Sequence, residues 1–316
     1  MKSGSASSAD LVIPALYRGR FAPSPTGPLH AGSLSTALYS FIDARQHQGQ
    51  WLLRFDDIDR HRCRPEYCHA ILKMLEMHGL EWNGAVYYQS HQADGYYEAH
   101  LASLASRDMV YRCICSRALL ARNGETLRYG GACANRAEPV TDDMNFGWRL
   151  RISETGKDTS VSFHDRFQGD CQTVLADECG DFLVWSREGY PAYPLSTIVD
   201  DAAMGITHVI RGVDLLPHTA RQIFMLDIMG MPGKSFGHLP VLVDAMGAKL
   251  SKQTGAQEVD TSNPAGNLCR ILTLGGFKPP ADLCKAPVRT VLQWACDYVD
   301  LARLGGRHAI SVAPPA

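Results

Sequence analysis

The chain has 316 residues, of which 45% are hydrophobic, 20% charged and 9% aromatic, and its 31 lysines and arginines nearly balance 33 acidic residues. It is too apolar for a disordered chain, has no collagen or coiled-coil period, and contains no apolar run near the roughly 18 residues of a membrane span. A formal charge of −2 argues against non-specific coating of nucleic acid, while leaving room for a local basic face.

Met1 to Asp10 is rich in Ser, Ala and Gly, with one lysine and no apolar h-region. Residues 1–16 therefore read as a flexible tail rather than an export signal, and a cytoplasmic protein is expected. Tyr17 to Ala22 predicts a short strand that breaks in Pro23-Ser24-Pro25-Thr26-Gly27-Pro28. A helix follows from Gly32 to about Gln46, with Leu34, Leu38, Phe41 and Ile42 on one face, and Trp51 to Phe55 predicts a strand ending at Asp56, Asp57 and Asp59. Pro65 and Glu66 suit a helix start and Gly79 its C′ position, giving a helix over 65–78. Another helix is expected from about Gly95 to Arg107.

Residues 109–190 differ in character. They carry a cysteine group, a Gly130-Gly131 turn and strand-like runs at Phe146 to Ile152 and Thr159 to Phe167, which predict an inserted α+β subdomain. Alternation resumes from Tyr193, with a strand at Thr207 to Arg211, a helix at Pro217 to Met229 and a near-continuous apolar strand at His238 to Val243. The expected fold is α/β, a Rossmann-type doubly wound parallel sheet built from residues 17–108 and 191–256, with ligands at the carboxyl ends of its strands. Residues 257–316 are expected to form a short helical region with a disordered end from Ser311 to Ala316.

Three constellations carry chemistry. The first is Arg20-Phe21-Ala22-Pro23-Ser24-Pro-Thr-Gly-Pro-Leu-His30-Ala-Gly32-Ser33, a strand, a rigid loop and a helix start. There, backbone N–H groups and the helix dipole can receive a polyphosphate, and Gly32 leaves room for a base or ribose. A rigid proline turn with an N-cap would have the same look. The second is Lys249-Leu-Ser251-Lys252-Gln253, a glycine-flanked cationic loop suited to the charge that builds as pyrophosphate departs, or else plain solvated charge. The third is Cys113-Ile-Cys115 with Tyr129 and Cys133. Three thiolates and one further donor complete a tetrahedral zinc site. The remaining cysteines, Cys63, Cys68, Cys171, Cys179, Cys269, Cys284 and Cys296, are expected to be small buried hydrophobes.

Taken in order, Pro28-Leu-His30-Ala-Gly32-Ser33 resembles the HIGH motif, and Lys249-Leu-Ser-Lys-Gln253 the KMSKS loop, of class I aminoacyl-tRNA synthetases. Arg20 to Gly27 is similar to the opening of the glutamyl branch. Leu53 to Asp59, Gly79 to Trp82, the cysteine insertion, Tyr193 to Asp201 and Ile210 to Leu216 resemble the glutamyl-Q tRNA(Asp) synthetases, and the resemblance covers about residues 17 to 256. Only 64 residues follow Lys252, too few for the helical anticodon-binding domain of a full glutamyl-tRNA synthetase.

The resemblance implies tRNA-independent formation of glutamyl-adenylate from L-glutamate and ATP with Mg2+, then transfer of the glutamyl group to queuosine in the anticodon loop of tRNA(Asp). It implies that Arg20, Phe21, Ala22, Pro23, Ser24, Asp56, Tyr193 and Arg211 bind glutamate, and that His30, Gly32, Ser33, Lys249 and Lys252 serve ATP and the transition state. It also implies one structural Zn2+ on Cys113, Cys115, Tyr129 and Cys133. Where the family usually has glutamate this chain has Asp56, one methylene shorter, yet the carboxylate can still take the ammonium of the substrate. Arg112, Arg117, Arg122, Arg128 and Arg136 can receive RNA phosphates or be ordinary surface charge. A monomer without membrane contact is expected. Two rivals stay open: a conventional glutamyl- or glutaminyl-tRNA synthetase with a separate anticodon reader, and a non-catalytic nucleotide- or RNA-binding paralogue.

Overall fold

Residues 16–92, 94–125, 128–152, 158–250 and 258–312 are described by a computed structural model of the chain. Its first half runs β1 (Arg18–Phe21), α1 (Ala31–Gln46), β2 (Gln50–Phe55), α2 (Pro65–Met77), β3 (Tyr87–Tyr88) and α3 (Tyr96–Ala105). Next come β4 (Val110–Cys113), α4 (Arg117–Arg122), β5 (Gly147–Leu150), β6 (Ser160–Asp165), β7 (Gly169–Val174), α5 (Leu175–Glu178) and β8 (Phe182–Trp185). The second half adds α6 (Tyr193–Ala203), β9 (His208–Gly212), α7 (Leu216–Ile228), β10 (Ser235–Leu239), β11 (Val241–Val243), α8 (Pro264–Leu274), α9 (Val288–Tyr298) and β12 (Ala309–Ser311).

The main parallel sheet has two halves. β1, β2 and β3 are parallel, with Arg20 opposite Leu52. β9, β10 and β6 are also parallel, and β7 returns antiparallel along β6. The halves meet where β9 lies against β1, Thr207 N–H donating to the Arg18 carbonyl at 2.9 Å. From β1 the chain winds outward through β2 and β3, and from β9 through β10 to the far side. This reversal leaves a crevice at the carboxyl ends of β1 and β9, the usual ligand site of doubly wound sheets.

α1 crosses behind that crevice. Its apolar stripe predicts one buried face, but the helix is enclosed on nearly all sides: Ala37, Leu38, Ile42 and Ala44 are fully buried, and Tyr39, Ser40 and Asp43 nearly so. The added cover comes from the region after residue 257, whose Leu268, Leu272, Val291 and Leu292 join the same core as Leu38 and Ile42. Ser40 accepts the Trp51 indole N–H at 3.0 Å, so the fully buried Trp51 keeps its polar edge satisfied. α2 begins with Pro65 at its first turn and ends before Gly79, whose φ of +65° is the left-handed C′ conformation that glycine adopts without a Cβ penalty.

Several expectations are corrected. The apolar run from His238 to Val243 is two strands, because Pro240 has no N–H to continue a ladder. β10 ends at Leu239 inside the main parallel sheet, and β11 pairs instead with β12. The segment 109–190 is not wholly an insertion. β4, β5 and β8 form a separate antiparallel sheet, but β6 joins β10 at Asp165 opposite Phe236, so the β6–β7 hairpin extends the main parallel sheet. The last region carries strand β12 besides its helices, and Ser311 and Val312 are ordered along β11, Val312 N–H donating to the Val243 carbonyl. Of the seven cysteines expected in the core, Cys68, Cys179 and Cys269 are buried, whereas Cys63, Cys171, Cys284 and Cys296 are half-buried. Residues 1–15 of the expected tail, residues 251–257 and residues 313–316 lie outside the described residues. Among those described, no helix is long and apolar enough to cross a membrane.

Candidate active site

The crevice holds a cavity of about 320 Å³. Arg20, Phe21, Ala22, Pro23 and Ser24 line it from the end of β1, Asp56 from the end of β2, and Arg211 from β9. Tyr193 enters from the start of α6, and His30, Gly32 and Ser33 from the start of α1. Lys249 and Leu250 close one side. Every described residue expected to handle glutamate or ATP thus faces one cavity, although Arg20 and Arg211 are far apart in sequence. Lys252, expected beside Lys249, lies outside the described residues.

One charged chain crosses the floor. The buried Arg20 donates its Nε–H to Asp201 Oδ1 at 3.1 Å, and the fully buried Arg54 donates from Nη1 to the same oxygen. Arg54 Nε–H then donates to Asp56 Oδ1 at 2.7 Å. Burial alone would raise the Asp201 pKa, but Arg20 and Arg54 outweigh it and hold the carboxyl well below its usual range. For Asp56 burial wins over Arg54, and its pKa lies above the ordinary value. Among the described residues, the terminal nitrogens of Arg20 make no hydrogen bond to the protein, which leaves a guanidinium fork for a ligand.

Arg211 is anchored differently. Its Nε–H donates to His238 Nε2 at 3.0 Å, Nη2 to Thr219 Oγ1 at 2.8 Å and Nη1 to Tyr193 Oη at 3.2 Å. Burial lowers its pKa, yet a guanidinium stays protonated at any physiological pH. Apart from the paired Lys249 and Asp214 on its wall, the cavity is thus faced by two buried cations and the Asp56 carboxylate, a polarity suited to a dicarboxylate that carries one ammonium.

The helix-start end of the cavity is set by α1. His30 is its N-cap: Nδ1 accepts the Ser33 N–H at 3.3 Å, while Nε2 lies 3.1 Å from Ser33 Oγ. A Cβ added at Gly32 would lie 3.0 Å from the His30 ring and 3.4 Å from the Leu250 carbonyl, so the close approach at Gly32 serves the His30 ring in addition to any ligand. Lys249 Nζ reaches Asp214 at 2.6 Å on the cavity wall. A helix N-terminus with a lysine opposite it makes this end suited to phosphate oxygens.

The cysteine group gathers some distance along the chain, at the end of β4. Tyr129 Oη lies 3.6 Å from Cys113 Sγ and 3.5 Å from Cys115 Sγ, and Cys115 and Cys133 Sγ are 3.5 Å apart. A tetrahedral ion with Zn–S near 2.3 Å and Zn–O near 2.1 Å separates its ligand atoms by about 3.6–3.8 Å, so this donor set can hold one. Arg149 reinforces it by donating Nε–H to Cys113 Sγ at 3.2 Å and lying 3.8 Å over the Tyr129 ring. Of the surrounding arginines, Arg112 pairs with Asp142 and stacks over Phe146, Arg128 donates to the Ala176 carbonyl and Arg136 to that of Glu138. Arg117 and Arg122 are exposed on α4.

Sequence reasoning missed Arg54, Asp201, Asp214, Asp165, His238 and Thr219. The consecutive acids Asp200 and Asp201 inside the apolar stretch Tyr193–Ala203 were a usable signal, because buried acids demand partners. Asp165 and His238 gave a weaker one, being polar residues within predicted strands.

Residues 17–267 match the family model for class I tRNA synthetases (E and Q), catalytic domain. The chain is 45% identical to the glutamyl-Q tRNA(Asp) synthetase of Methylococcus capsulatus, over 94% of this chain and 95% of that one. It is 44% identical to that of Thiobacillus denitrificans, over 90% and 94%. Among solved structures, the glutamate-tRNA synthetase of Elizabethkingia anophelis superposes with a TM-score of 0.75 at 23% identity, covering 94% of this chain and 68% of that one, a likeness of fold. A cavity that sets two buried arginines beside the Asp56 carboxylate at the switch point of the sheet, and relatives this similar over nearly their whole length, lead to one assignment: the chain belongs to the class I tRNA synthetases (E and Q), within the group of glutamyl-Q tRNA(Asp) synthetases.

Proposed function

We propose that the protein activates L-glutamate with MgATP to glutamyl-adenylate and transfers the glutamyl group to queuosine in tRNA(Asp). The observation that carries this reading is the convergence of Arg20, Arg211 and Asp56 on one cavity that ends at the α1 start. An amino acid with a neutral side chain would offer only its α-carboxylate to the two guanidiniums and leave one of them without a ligand anion, at a cost of about 1–3 kcal/mol.

In this reading Arg20 and Arg211 with Tyr193 hold the two carboxylates, and Asp56 takes the ammonium. Phe21, Ala22, Pro23 and Ser24 form the wall that fixes the amino acid against β1. An oxygen of the α-carboxylate attacks the α-phosphorus of ATP, the bond to the bridging oxygen breaks, and pyrophosphate leaves with that electron pair. His30, Gly32, Ser33, Lys249 and Lys252 stabilise the charge that accumulates, so catalysis is positioning and electrostatics without a covalent enzyme intermediate. A queuosine hydroxyl then attacks the acyl carbon of the adenylate and AMP departs.

Zinc is the ion we assign to Cys113, Cys115, Tyr129 and Cys133. A closed set of four ligands leaves no position for substrate, so its part is to tie the end of β4 to the loop before β5. Residues 17–108 and 191–256 are the activating half. Most of 109–190 is an appended subdomain, with the β6–β7 hairpin given back to the catalytic sheet. ATP and tRNA as substrates put the reaction in the cytoplasm.

The test is charging of tRNA(Asp) with and without queuosine, before and after removal of the 3′-terminal adenosine. Acceptance that needs queuosine and survives loss of the 3′-terminal adenosine supports the proposal. Acceptance at the 3′ end returns the conventional synthetase reading, and absence of glutamate-dependent ATP–pyrophosphate exchange returns the non-catalytic one.

A further inference from the structure

We propose that Asp165 and His238 are a positioning pair that orients the guanidinium of Arg211 toward its carboxylate, an inference that rests on the glutamate-binding role given to Arg211 above. Neither residue lines the cavity, and both are fully buried. They stand side by side with Arg211 across three adjacent parallel strands: Asp165 ends β6, His238 lies in β10, and Arg211 faces His238 from β9.

The protons dictate the arrangement. A guanidinium offers only donors, so Arg211 Nε–H requires a lone pair on His238 Nε2, 3.0 Å away. The imidazole must then be neutral with its proton on Nδ1, and Nδ1 faces Asp165 Oδ2 at 2.5 Å. Asp165 is suited to hold that proton without taking it. Burial would raise its pKa, but the bond from His238 and those from backbone amides outweigh burial and keep the carboxyl below its usual range. The amides of Phe167, Gln168 and His238 all donate to Asp165 Oδ1 at 3.0 Å. Burial lowers the His238 pKa, and the Arg211 charge acts in the same direction. A protonated His238 would turn an N–H toward Arg211 and add a second buried cation beside it. Thr219 Oγ1 closes the frame, 3.1 Å from His238 Nε2 and accepting from Arg211 Nη2. With Nε and Nη2 fixed from behind and Nη1 tied to Tyr193, the guanidinium plane has one orientation available to a ligand.

The experiment is glutamate-dependent ATP–pyrophosphate exchange by the full chain, comparing His238→Leu, His238→Gln, Asp165→Asn and Arg211→Ala. His238→Leu removes the acceptor and should raise the glutamate KM roughly 10- to 100-fold, the loss of one hydrogen bond to a charged group, with the ATP KM and kcat changed less than about threefold. His238→Gln carries an amide oxygen near the lost Nε2 and should recover most of the affinity; Asp165→Asn should fall between the two. An unchanged glutamate KM in His238→Leu, or equal losses in kcat and both KM values that His238→Gln fails to relieve, overturns the proposal. If Arg211→Ala itself leaves the glutamate KM unchanged, the glutamate-binding reading fails, whereas a raised KM there with none in His238→Leu defeats the positioning pair alone. Nitrogen-15 NMR of the histidine-labelled wild type reads the tautomer without any substitution: an Nδ1–H imidazole at His238 supports the pair, and an Nε2–H or doubly protonated ring overturns it.

Discussion

Asp201→Asn tests the charged chain beneath the cavity. The substitution keeps the size of the side chain and one carbonyl oxygen but removes the negative charge. In the wild type one oxygen of Asp201 accepts from both Arg20 and Arg54, and the three side chains are 4%, 0% and 5% exposed for Arg20, Arg54 and Asp201. After substitution two buried guanidiniums are left with Asp56 as the nearest carboxylate in the chain. Two hydrogen bonds between charged groups are worth about 1.5–3 kcal/mol each, and removing one partner of a buried ion pair costs about 3–5 kcal/mol, so the variant should lose about 3–5 kcal/mol at pH 7.

In urea, with an m-value near 2–3 kcal/mol/M, that loss moves the unfolding midpoint by roughly 1–2 M. The dependence on pH carries a second signature. Asp201 has a folded pKa depressed below its unfolded value of about 3.9, so its contribution is fully present well above that value and is lost only as pH falls further. The stability gap between wild type and variant should be flat from pH 8 to 5 and narrow below about pH 4. Because Arg20 loses its anchor, the glutamate KM should also rise, by about tenfold. A loss under 1 kcal/mol, or a gap that varies between pH 5 and 8, would refute the reasoning.

Three further outcomes are expected. Protein purified without chelator should carry about one zinc per chain and Cys133→Ser less than half of one, with the metal content read by elemental analysis; less than half a zinc in the wild type defeats the assignment. Asp56→Asn should raise the glutamate KM by roughly 10- to 100-fold while sparing that for ATP, and an unchanged glutamate affinity would transfer the ammonium to Asp57 or Asp59. Asp200 accepts hydrogen bonds from Tyr87, Tyr97 and Gln89, and its pKa is pushed up to about 6, chiefly by burial. Its folded pKa exceeds the unfolded one, so stability should rise as pH is lowered from 8 through 6 toward 4, and Asp200→Asn should flatten that part of the profile.

The parts of the site legible in the sequence are those whose signal is local. Pro23 to Pro28 excludes regular structure within a few residues, and the period from Leu34 to Ile42 marks α1, so the loop and helix start were readable without knowing their neighbours. What escaped was set by distant partners. Arg54 reads as a charge at a strand end, and only the fold brings it to Asp201, 147 residues on. The alternation through Val161, Phe163 and Asp165 marks a strand, but nothing near it says that β10, some 70 residues later, is its neighbour. Pro240 was a local signal of the break: the four apolar residues Leu239, Val241, Leu242 and Val243 suggest one continuous strand, but the missing N–H between them ends it.

The short acid at position 56 is best understood through Arg54. A carboxylate that must meet an ammonium is ordinarily placed by its own side-chain length, and one methylene less should withdraw it from the ligand. Here the carboxylate is gripped by Arg54 Nε at 2.7 Å, and Arg54 is held in turn through Asp201 to Arg20. The position of the anion is therefore fixed by the same buried chain that fixes a cation for the substrate. Asp56 needs only to reach Arg54, which it does, and the distance between ammonium and carboxylate sites becomes a property of the four-residue chain. On this account the affinity for glutamate depends less on the length of residue 56 than on Arg54, whose loss would loosen both ends of the amino acid at once.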